Sequence, residues 1–165
     1  MPTISKIAPC LWSDGRAEEA ARFYTGIFPN SRIKTISHYP AVGQQEHGME
    51  AGSVLTVEFE LDGQPFTVLN GPPIFKFTEA VSLQVPCDTR EELDYYWERL
   101  GEGGDKAAQQ CGWLKDKYGL SWQVFPRFMI EYLLDPDQRK VERVFAAMMK
   151  MKKLDFDELR RVFAG

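Results

Sequence analysis

The chain has 165 residues, of which 44% are hydrophobic and 27% charged, and its 20 basic and 24 acidic side chains give a net charge of −4. This balance is that of an ordinary globular protein, long enough to bury a stable core, and it provides no basic surface for nucleic acid or an anionic membrane. No apolar run approaches the ~20 residues of a membrane span and the amino terminus lacks a secretory-signal pattern, so we expect a cytoplasmic protein.

The cysteines indicate a reducing compartment. Cys10, Cys87 and Cys111 are odd in number, far apart and outside any CxxC spacing. They predict neither a disulfide framework nor a zinc site, and we interpret them as free thiols.

The first half of the chain predicts one strand, one helix and then further strands. Residues 4–12 suit a strand, and Asp14 is a candidate cap for a helix whose apolar residues recur until Pro29. Residues 31–39 and 53–61 alternate as strands do. Asp62 and Gly63 then predict a hairpin turn into the strand PFTVLN.

The second half repeats this order of signals. Residues 80–85 suit a strand, and Thr89 with Glu92 forms a capping box before a helix that runs to about Leu100. The segment DKYG then joins two strand-like runs, with Asp116 predicted at the first turn position and Gly119 at positive φ. The alternative for Asp116 is a role at the rim of a site.

An internal duplication accounts for this repetition. AEEAARFY in the first half matches REELDYYW in the second, and DGQPFTVLN matches YGLSWQVFP. The fold class predicted is α+β, with two tandem βαβββ modules over residues 1–72 and 73–128. Residues 129–165 form a helical tail: Asp135-Pro136 predicts a helix to about Lys152, and Asp155 with Glu158 opens a last one. The pattern leaves open whether the tail packs on its own domain or on a partner subunit.

Four segments carry a resemblance to a known family. They are LWSDGRAEEAARFYTGIFPNS, DGQPFTVLNGPP, FKFTEAVSLQVPCDTREELDYYWERL and QQCGWLKDKYGLSWQVFPR. The chain resembles the PhnB-like branch of the vicinal oxygen chelate superfamily, which includes glyoxalase I, bleomycin-resistance proteins, fosfomycin-resistance enzymes and extradiol dioxygenases. The resemblance implies two cup-shaped sheets around a cleft and a homodimer. The branch is often labelled 3-demethylubiquinone-9 3-methyltransferase-like, but Gly101, Gly103 and Gly104 follow a helix, not a strand as in nucleotide-binding turns, which disfavours a methyltransferase.

The resemblance also implies four metal-binding positions, usually a His on each module's first strand and a Glu on each last strand. Here these positions fall on Ala8, Thr67, Ala80 (or Val81) and Gln123, none of them a carboxylate or an imidazole. The two histidines, His38 and His47, lie elsewhere in the sequence and are interpreted as solvated side chains. We therefore expect no metal and no other cofactor.

Strand alternation predicts what lines the cleft instead. If Ala8 points inward, the inward set is aromatic and neutral-polar, with no acid or base at its centre, and comprises Cys10, Trp12, Thr67, Leu69, Ser82, Gln84, Ser121, Gln123 and Phe125. Trp12 and Trp113 are candidates for stacking on a ligand, whereas Trp97 and Trp122 are interpreted as packing residues between helix and sheet.

Two residues are candidates for catalysis. Cys111 could be a nucleophile activated by Lys115, although a cysteine on a strand is more often a small packed hydrophobe. Lys115 could alternatively attract an anion. The function predicted is binding of a small molecule in a metal-free cleft, and the alternatives are a metal-independent enzyme using Cys111, Lys115 or Gln123, or a structural dimer without a ligand.

Overall fold

The structure is a computed structural model that describes residues 6–165, so Ile4 and Ser5 of the first predicted strand lie outside the described residues. The chain divides into two compact units, one ending at Lys76 and one from Phe77 to Gly165. The strands are β1 Cys10–Ser13, β2 Arg32–His38, β3 Val54–Leu61, β4 Gln64–Asn70, β5 Ser82–Cys87, β6 Trp113–Lys115 and β7 Ser121–Pro126. The α-helices are α1 Ala17–Thr25, α2 Gln44–His47, α3 Arg90–Gly101, α4 Met129–Tyr132, α5 Gln138–Met148 and α6 Phe156–Ala164.

The first unit is a four-stranded sheet in the order β1-β4-β3-β2, with α1 packed on one face. β1 runs parallel to β4, and the other pairs are antiparallel. The predicted hairpin is confirmed, since Asp62 and Gly63 have φ of 48° and 77°. Alternation buries Val57, Phe59, Phe66 and Val68 in the core.

The predicted cap of α1 was wrong. The Asp14 side chain forms an exposed ion pair with Arg16, and the backbone N–H groups of Gly15 and Ala17 donate to Asn70 Oδ1 at 3.1 and 2.9 Å. Asn70 lies at the end of β4, is 3% exposed, and also donates through Nδ2 to the Val54 carbonyl. The helix start is therefore held by a residue distant in sequence, because β4 ends beside it.

The second unit repeats this topology with a three-stranded sheet in the order β5-β7-β6, in which β5 is parallel to β7. The first strand begins at Ser82, two residues later than predicted. The capping box of α3 is confirmed, with Glu92 N–H donating to Thr89 Oγ1 at 3.1 Å. Trp97 and Trp122 are buried, as predicted for packing residues.

The tail packs on the second unit, which answers the question that its pattern left open. Its core contains Met129, Val144, Leu154 and Leu159, with Phe125 of β7 against it. The start and end predicted for α5 were wrong: Asp137 caps it, and it ends at Met148 rather than about Lys152. The chain leaves the helix there because the carbonyls of Met151 and Lys152 accept hydrogen bonds from the N–H groups of Cys111 and Gly112. The last helix begins as predicted, with Asp155 accepting from Glu158 N–H.

Within residues 6–165, we find no helix with the length and apolar character that crossing a membrane requires.

Candidate functional site

The second unit contains a cavity of about 710 Å³, within the size range of small-molecule sites. We call it the second-unit cavity. Its floor is the sheet face opposite α3, formed by Gln84, Trp113, Lys115, Ser121, Gln123 and Phe125, and Leu114 between Trp113 and Lys115 also borders it. Its roof comes from the tail, through Met129, Ile130, Leu133, Met148, Met149 and Leu154. Its remaining edge is made by Glu79, Ala108, Gln110, Cys111 and Gly112.

Strand register arranges the polar groups of the floor in two rows. Ser121 of β7 is paired with Ser82 on one side and Lys115 on the other. Gln123 is paired with Gln84 and Trp113. Directly paired residues project on the same face of a sheet, so these side chains are neighbours. Gln123 Nε2 also donates to Ser82 Oγ over 2.8 Å, although Ser82 itself does not line the cavity.

Ser121 is the unusual member of the floor. Its side chain is 1% exposed, and its Oγ has no hydrogen-bond partner among residues 6–165. A buried hydroxyl without a partner costs about 1–3 kcal/mol, and such groups are rare in native proteins. The hydroxyl therefore lies behind the cavity surface, where almost none of the residue is accessible to solvent.

Lys115 forms an ion pair across the edge of the cavity. Its Nζ lies 2.5 Å from Glu79 Oε1. The hydrogen bond from Lys115 holds the pKa of the Glu79 carboxyl below its ordinary value. Sequence reasoning assigned Lys115 but missed Glu79, because the turn that carries Glu79 shows no pattern linking it to β6.

Asp116 has the structural role predicted for the first position of the turn. It is 3% exposed, its Oδ1 accepts from the N–H groups of Tyr118 and Leu120, and its Oδ2 accepts from Trp122 Nε1 at 2.8 Å. Gly119 has φ of +86°, as expected. These bonds direct the carboxylate into the turn and toward the core.

Cys111 occupies the tip of a tight turn. Gln110 and Trp113 exchange both backbone hydrogen bonds, and the two residues between them, Cys111 and Gly112, have φ of +51° and +81°. The Sγ of Cys111 lies 3.4 Å from Gln110 Nε2 and 3.7 Å from Met149 Sδ. Neither of these atoms is a base that could remove the thiol proton.

The predicted residues of the first half lie on the other sheet, in the first unit. Register places Cys10 beside Thr67 and Trp12 beside Leu69, on the face opposite α1. Trp12 donates through Nε1 to the Pro72 carbonyl at 3.0 Å and meets the Phe75 ring edge-on. Both of these contacts lie within the unit.

We predicted a lining with no acid or base at its centre, and charged side chains lie beside the predicted residues or at the edge of the cavity. In the first unit, β3 places Glu58 directly beside Thr67, where it accepts a hydrogen bond from Thr35 Oγ1. In the second unit, Glu79 and Lys115 line the cavity. The alternation of VLTVEFEL could have predicted that Glu58 lies on the same face as Thr67, because side chains in β3 alternate between the two faces as they do in β4.

The metal positions implied by the superfamily do not fit an ion. Ala80 and Val81 precede β5 and have no side-chain donor atom. Ser82, the first residue of β5, is paired with Ser121, and its Oγ accepts a hydrogen bond from Gln123 Nε2. Within residues 6–165, no three His, Cys, Asp or Glu side chains are grouped closely enough to hold a metal. His47 stacks on Tyr39 and accepts from Met49 N–H, and His38 ends β2 as an exposed residue.

Paired units of parallel and antiparallel strands with one helix each define the glyoxalase-like fold of the vicinal oxygen chelate superfamily. Residues 5–125 match the model of the 3-demethylubiquinone-9 3-methyltransferase family, to which the chain therefore belongs, in its PhnB-like branch.

Solved structures agree with this assignment. The PhnB protein of Bacillus cereus is 37% identical, with a TM-score of 0.61 over 73% of this chain and 99% of that chain. Its description names it a 3-demethylubiquinone-9 3-methyltransferase. A protein from Pseudomonas aeruginosa has 14% identity and a TM-score of 0.55 over 74% and 98% of the two chains. The fosfomycin resistance protein FosX from Mesorhizobium loti has 15% identity and a TM-score of 0.51 over 82% and 99%. The last two show the fold alone. A comparison with curated protein sequences finds no match.

The glycines that a methyltransferase would need serve packing instead. A Cβ on Gly104 would lie 2.0 Å from the Lys115 carbonyl oxygen, so this glycine allows the loop after α3 to approach β6. The loop follows a helix, as the sequence predicted, and not a strand of a parallel sheet. Nothing in the described residues provides evidence for methyltransferase activity.

Proposed function

We propose that this protein binds a small, mostly apolar molecule in the second-unit cavity. The observation that carries the proposal is the cavity of about 710 Å³ itself, whose lining is mostly apolar with a few polar side chains. Gln123 and Gln84 add hydrogen-bonding groups, while Trp113, Phe125 and the methionines of the roof supply apolar surface. A concave, largely apolar site with a few placed polar groups is typical of small-molecule binding.

Binding is favoured over nucleophilic catalysis by the surroundings of Cys111. A catalytic thiol needs a neighbouring base or cation that stabilises the thiolate. The partners of Cys111 Sγ are the Gln110 amide and the Met149 thioether, and its backbone is used in the turn that holds the tail. Lys115 Nζ is paired with Glu79 instead.

The proposed binding requires no metal. At the four positions that the resemblance implies for metal ligands, this chain has Ala8, Thr67, Ala80 (or Val81) and Gln123. The alanines offer no donor atom, and the neutral oxygens of Thr67 and Gln123 alone are weak ligands for a divalent transition metal. Elemental analysis of the purified protein tests this point directly. One stoichiometric divalent ion per chain, lost together with probe binding on chelation, would contradict it.

The fluorescent probe N-phenyl-1-naphthylamine, which is neutral and mostly apolar, tests the cavity itself. We expect saturable binding of one molecule per chain. Ala108 lines the cavity and Ala107 does not, although the two are neighbours in one 3₁₀ turn. The variant Ala108→Trp should therefore weaken binding at least ~10-fold by filling the cavity, which corresponds to about 1.4 kcal/mol.

The matched control is Ala107→Trp, which places the same indole on an exposed position. Near-ultraviolet circular dichroism should show native packing in both variants. Absence of saturable binding, or equal affinity of the two variants, would disprove a binding site in this cavity.

We further propose a cytoplasmic homodimer. Free cysteines agree with a reducing compartment. Several apolar side chains of the tail are exposed, among them Leu134 at 78% and Phe145 at 50%, which suits contact with a second copy. Sedimentation velocity should show a dimer, and Leu134→Glu with Phe145→Glu should give monomers. A monomeric wild-type protein at micromolar concentration would contradict the dimer.

A further inference from the structure

Two charged residues line the second-unit cavity, and they are bound to each other. Among its described lining residues, Glu79 and Lys115 are the charged ones. Every other lining side chain is neutral, so the electrostatic character of the cavity depends on this pair.

The two partners differ in how much solvent they reach. The side chain of Lys115 is 26% exposed and that of Glu79 is 64% exposed. If the pair separates, the more exposed carboxylate regains more hydration than the ammonium does, so the ammonium gains more from a replacing anion. Glu79 is therefore the partner that can be replaced.

The backbone also permits this exchange. Lys115 is the last residue of β6 and is held in register by Ser121. Glu79 lies in the irregular turn before β5, where the N–H groups of Ala80 and Val81 make long hydrogen bonds of 3.4 and 3.5 Å to Thr78. The cation is carried by a strand held in register, and the carboxylate by a segment without regular secondary structure.

The ammonium of Lys115 suits an oxyanion as the replacing group. It carries three N–H donors and a positive charge, and charge-assisted hydrogen bonds to an oxyanion are the strong ones. The roof and the Trp113 side chain leave apolar surface for the remainder of the same molecule.

We propose that the second-unit cavity selects apolar molecules that carry one anionic group, and that Glu79 pairs with Lys115 until this group replaces it. This inference rests on the proposed function of the cavity. It adds the charge of the ligand and gives Glu79 the role of an internal competitor.

Two probes that share the same aromatic rings but differ in charge separate the contribution of the anionic group to binding from that of apolar contact. 8-Anilino-1-naphthalenesulfonate carries a sulfonate that N-phenyl-1-naphthylamine lacks. Lys115→Met keeps an apolar stem and removes the ammonium, so the Kd of the sulfonate probe should rise ~10-fold and that of the neutral probe by less than ~2-fold. Glu79→Gln should lower the Kd of the sulfonate probe severalfold and change that of the neutral probe by less than ~2-fold.

The matched control is Asp94→Asn. Asp94 pairs with Lys153 outside the cavity, and its substitution changes the net charge as Glu79→Gln does. We expect no effect on either probe. If both probes bind and Ala108→Trp blocks both, but Lys115→Met affects them equally, this inference is overturned and the proposed function stands. If Ala108→Trp blocks neither, the proposed function itself fails.

Discussion

The carboxylate of Asp116 accepts a hydrogen bond from the indole Nε1 of Trp122 over 2.8 Å, and both residues are almost fully buried. The contact joins the turn between β6 and β7 to the core behind the sheet. It also determines the position of Lys115 and Ser121, the residues immediately before Asp116 and Trp122, which line the cavity on the opposite face.

Removing this carboxylate should destabilise the protein strongly. Asp116→Ala leaves the N–H groups of Tyr118, Leu120 and Trp122 without their acceptor. We expect the free energy of unfolding, measured in urea, to fall by about 3 kcal/mol. The control Asp62→Asn changes the exposed turn of the first unit at φ of 48°, which Asn accepts, and should cost less than ~0.5 kcal/mol. Equal losses would show that the buried bonds of Asp116 contribute little.

The cap of α1 allows a comparison of two neighbouring polar groups. Asn70→Ala removes the acceptor for Gly15 and Ala17 N–H and should lower stability by about 2 kcal/mol. Asp14→Ala removes only an exposed ion pair and should change it by less than ~0.5 kcal/mol. Chemical denaturation of both variants measures the difference. A larger effect of Asp14→Ala would restore the cap expected from the local sequence.

Two glycines with positive φ separate backbone strain from packing. A Cβ on Gly119 would meet nothing within 4 Å, whereas one on Gly112 would lie 2.9 Å from the Val124 carbonyl oxygen and 3.0 Å from Leu154 Cδ1. Gly119→Ala should therefore cost about 1 kcal/mol through strain alone. Gly112→Ala should cost about 2 kcal/mol more and speed hydrogen exchange at the Cys111 amide, which the tail protects. Similar stability of the two variants would mean that the tail docks independently of Gly112.

The unsatisfied hydroxyl of Ser121 predicts a stabilising substitution. Ser121→Ala removes a buried donor without breaking a bond among the described residues, so the free energy of unfolding should rise by about 1 kcal/mol. Ser82→Ala, its neighbour in the sheet, breaks the bond to Gln123 and should lower it by a similar amount. A loss of stability in Ser121→Ala would show that its hydroxyl already has a partner.

Cys87 predicts a specific loss of stability in alkali. Burial raises the pKa of its thiol from 9.0 to about 12, with further contributions from Glu92 and Asp88. Above pH 9 the unfolded chain releases a proton that the native protein keeps, so stability falls as pH rises toward 12. The midpoint temperature of thermal unfolding should fall more steeply between pH 8 and ~10.5 in the wild type than in Cys87→Ala. If the two proteins show parallel pH profiles, a group other than Cys87 causes the loss of stability in alkali.

Regular alternation is the part of the site that the sequence could reveal. In and just before β7, Leu120, Trp122 and Val124 are buried, and the alternate residues Ser121, Gln123 and Phe125 are among those that line the second-unit cavity. The turn roles of Asp116 and Gly119 and the capping box of α3 were equally local. They could be predicted because each depends on neighbours a few residues away.

What the sequence by itself determined was the order of elements, the duplication and the faces of the strands, since covalent geometry sets the period of a strand and the preferences of turns. Only the tertiary structure decided which distant groups meet. Asn70 rather than Asp14 caps α1, residues of the tail line the second-unit cavity, and Glu79 reaches Lys115. These pairings depend on strand register and on the path by which distant segments come together, and no local sequence pattern encodes either of them.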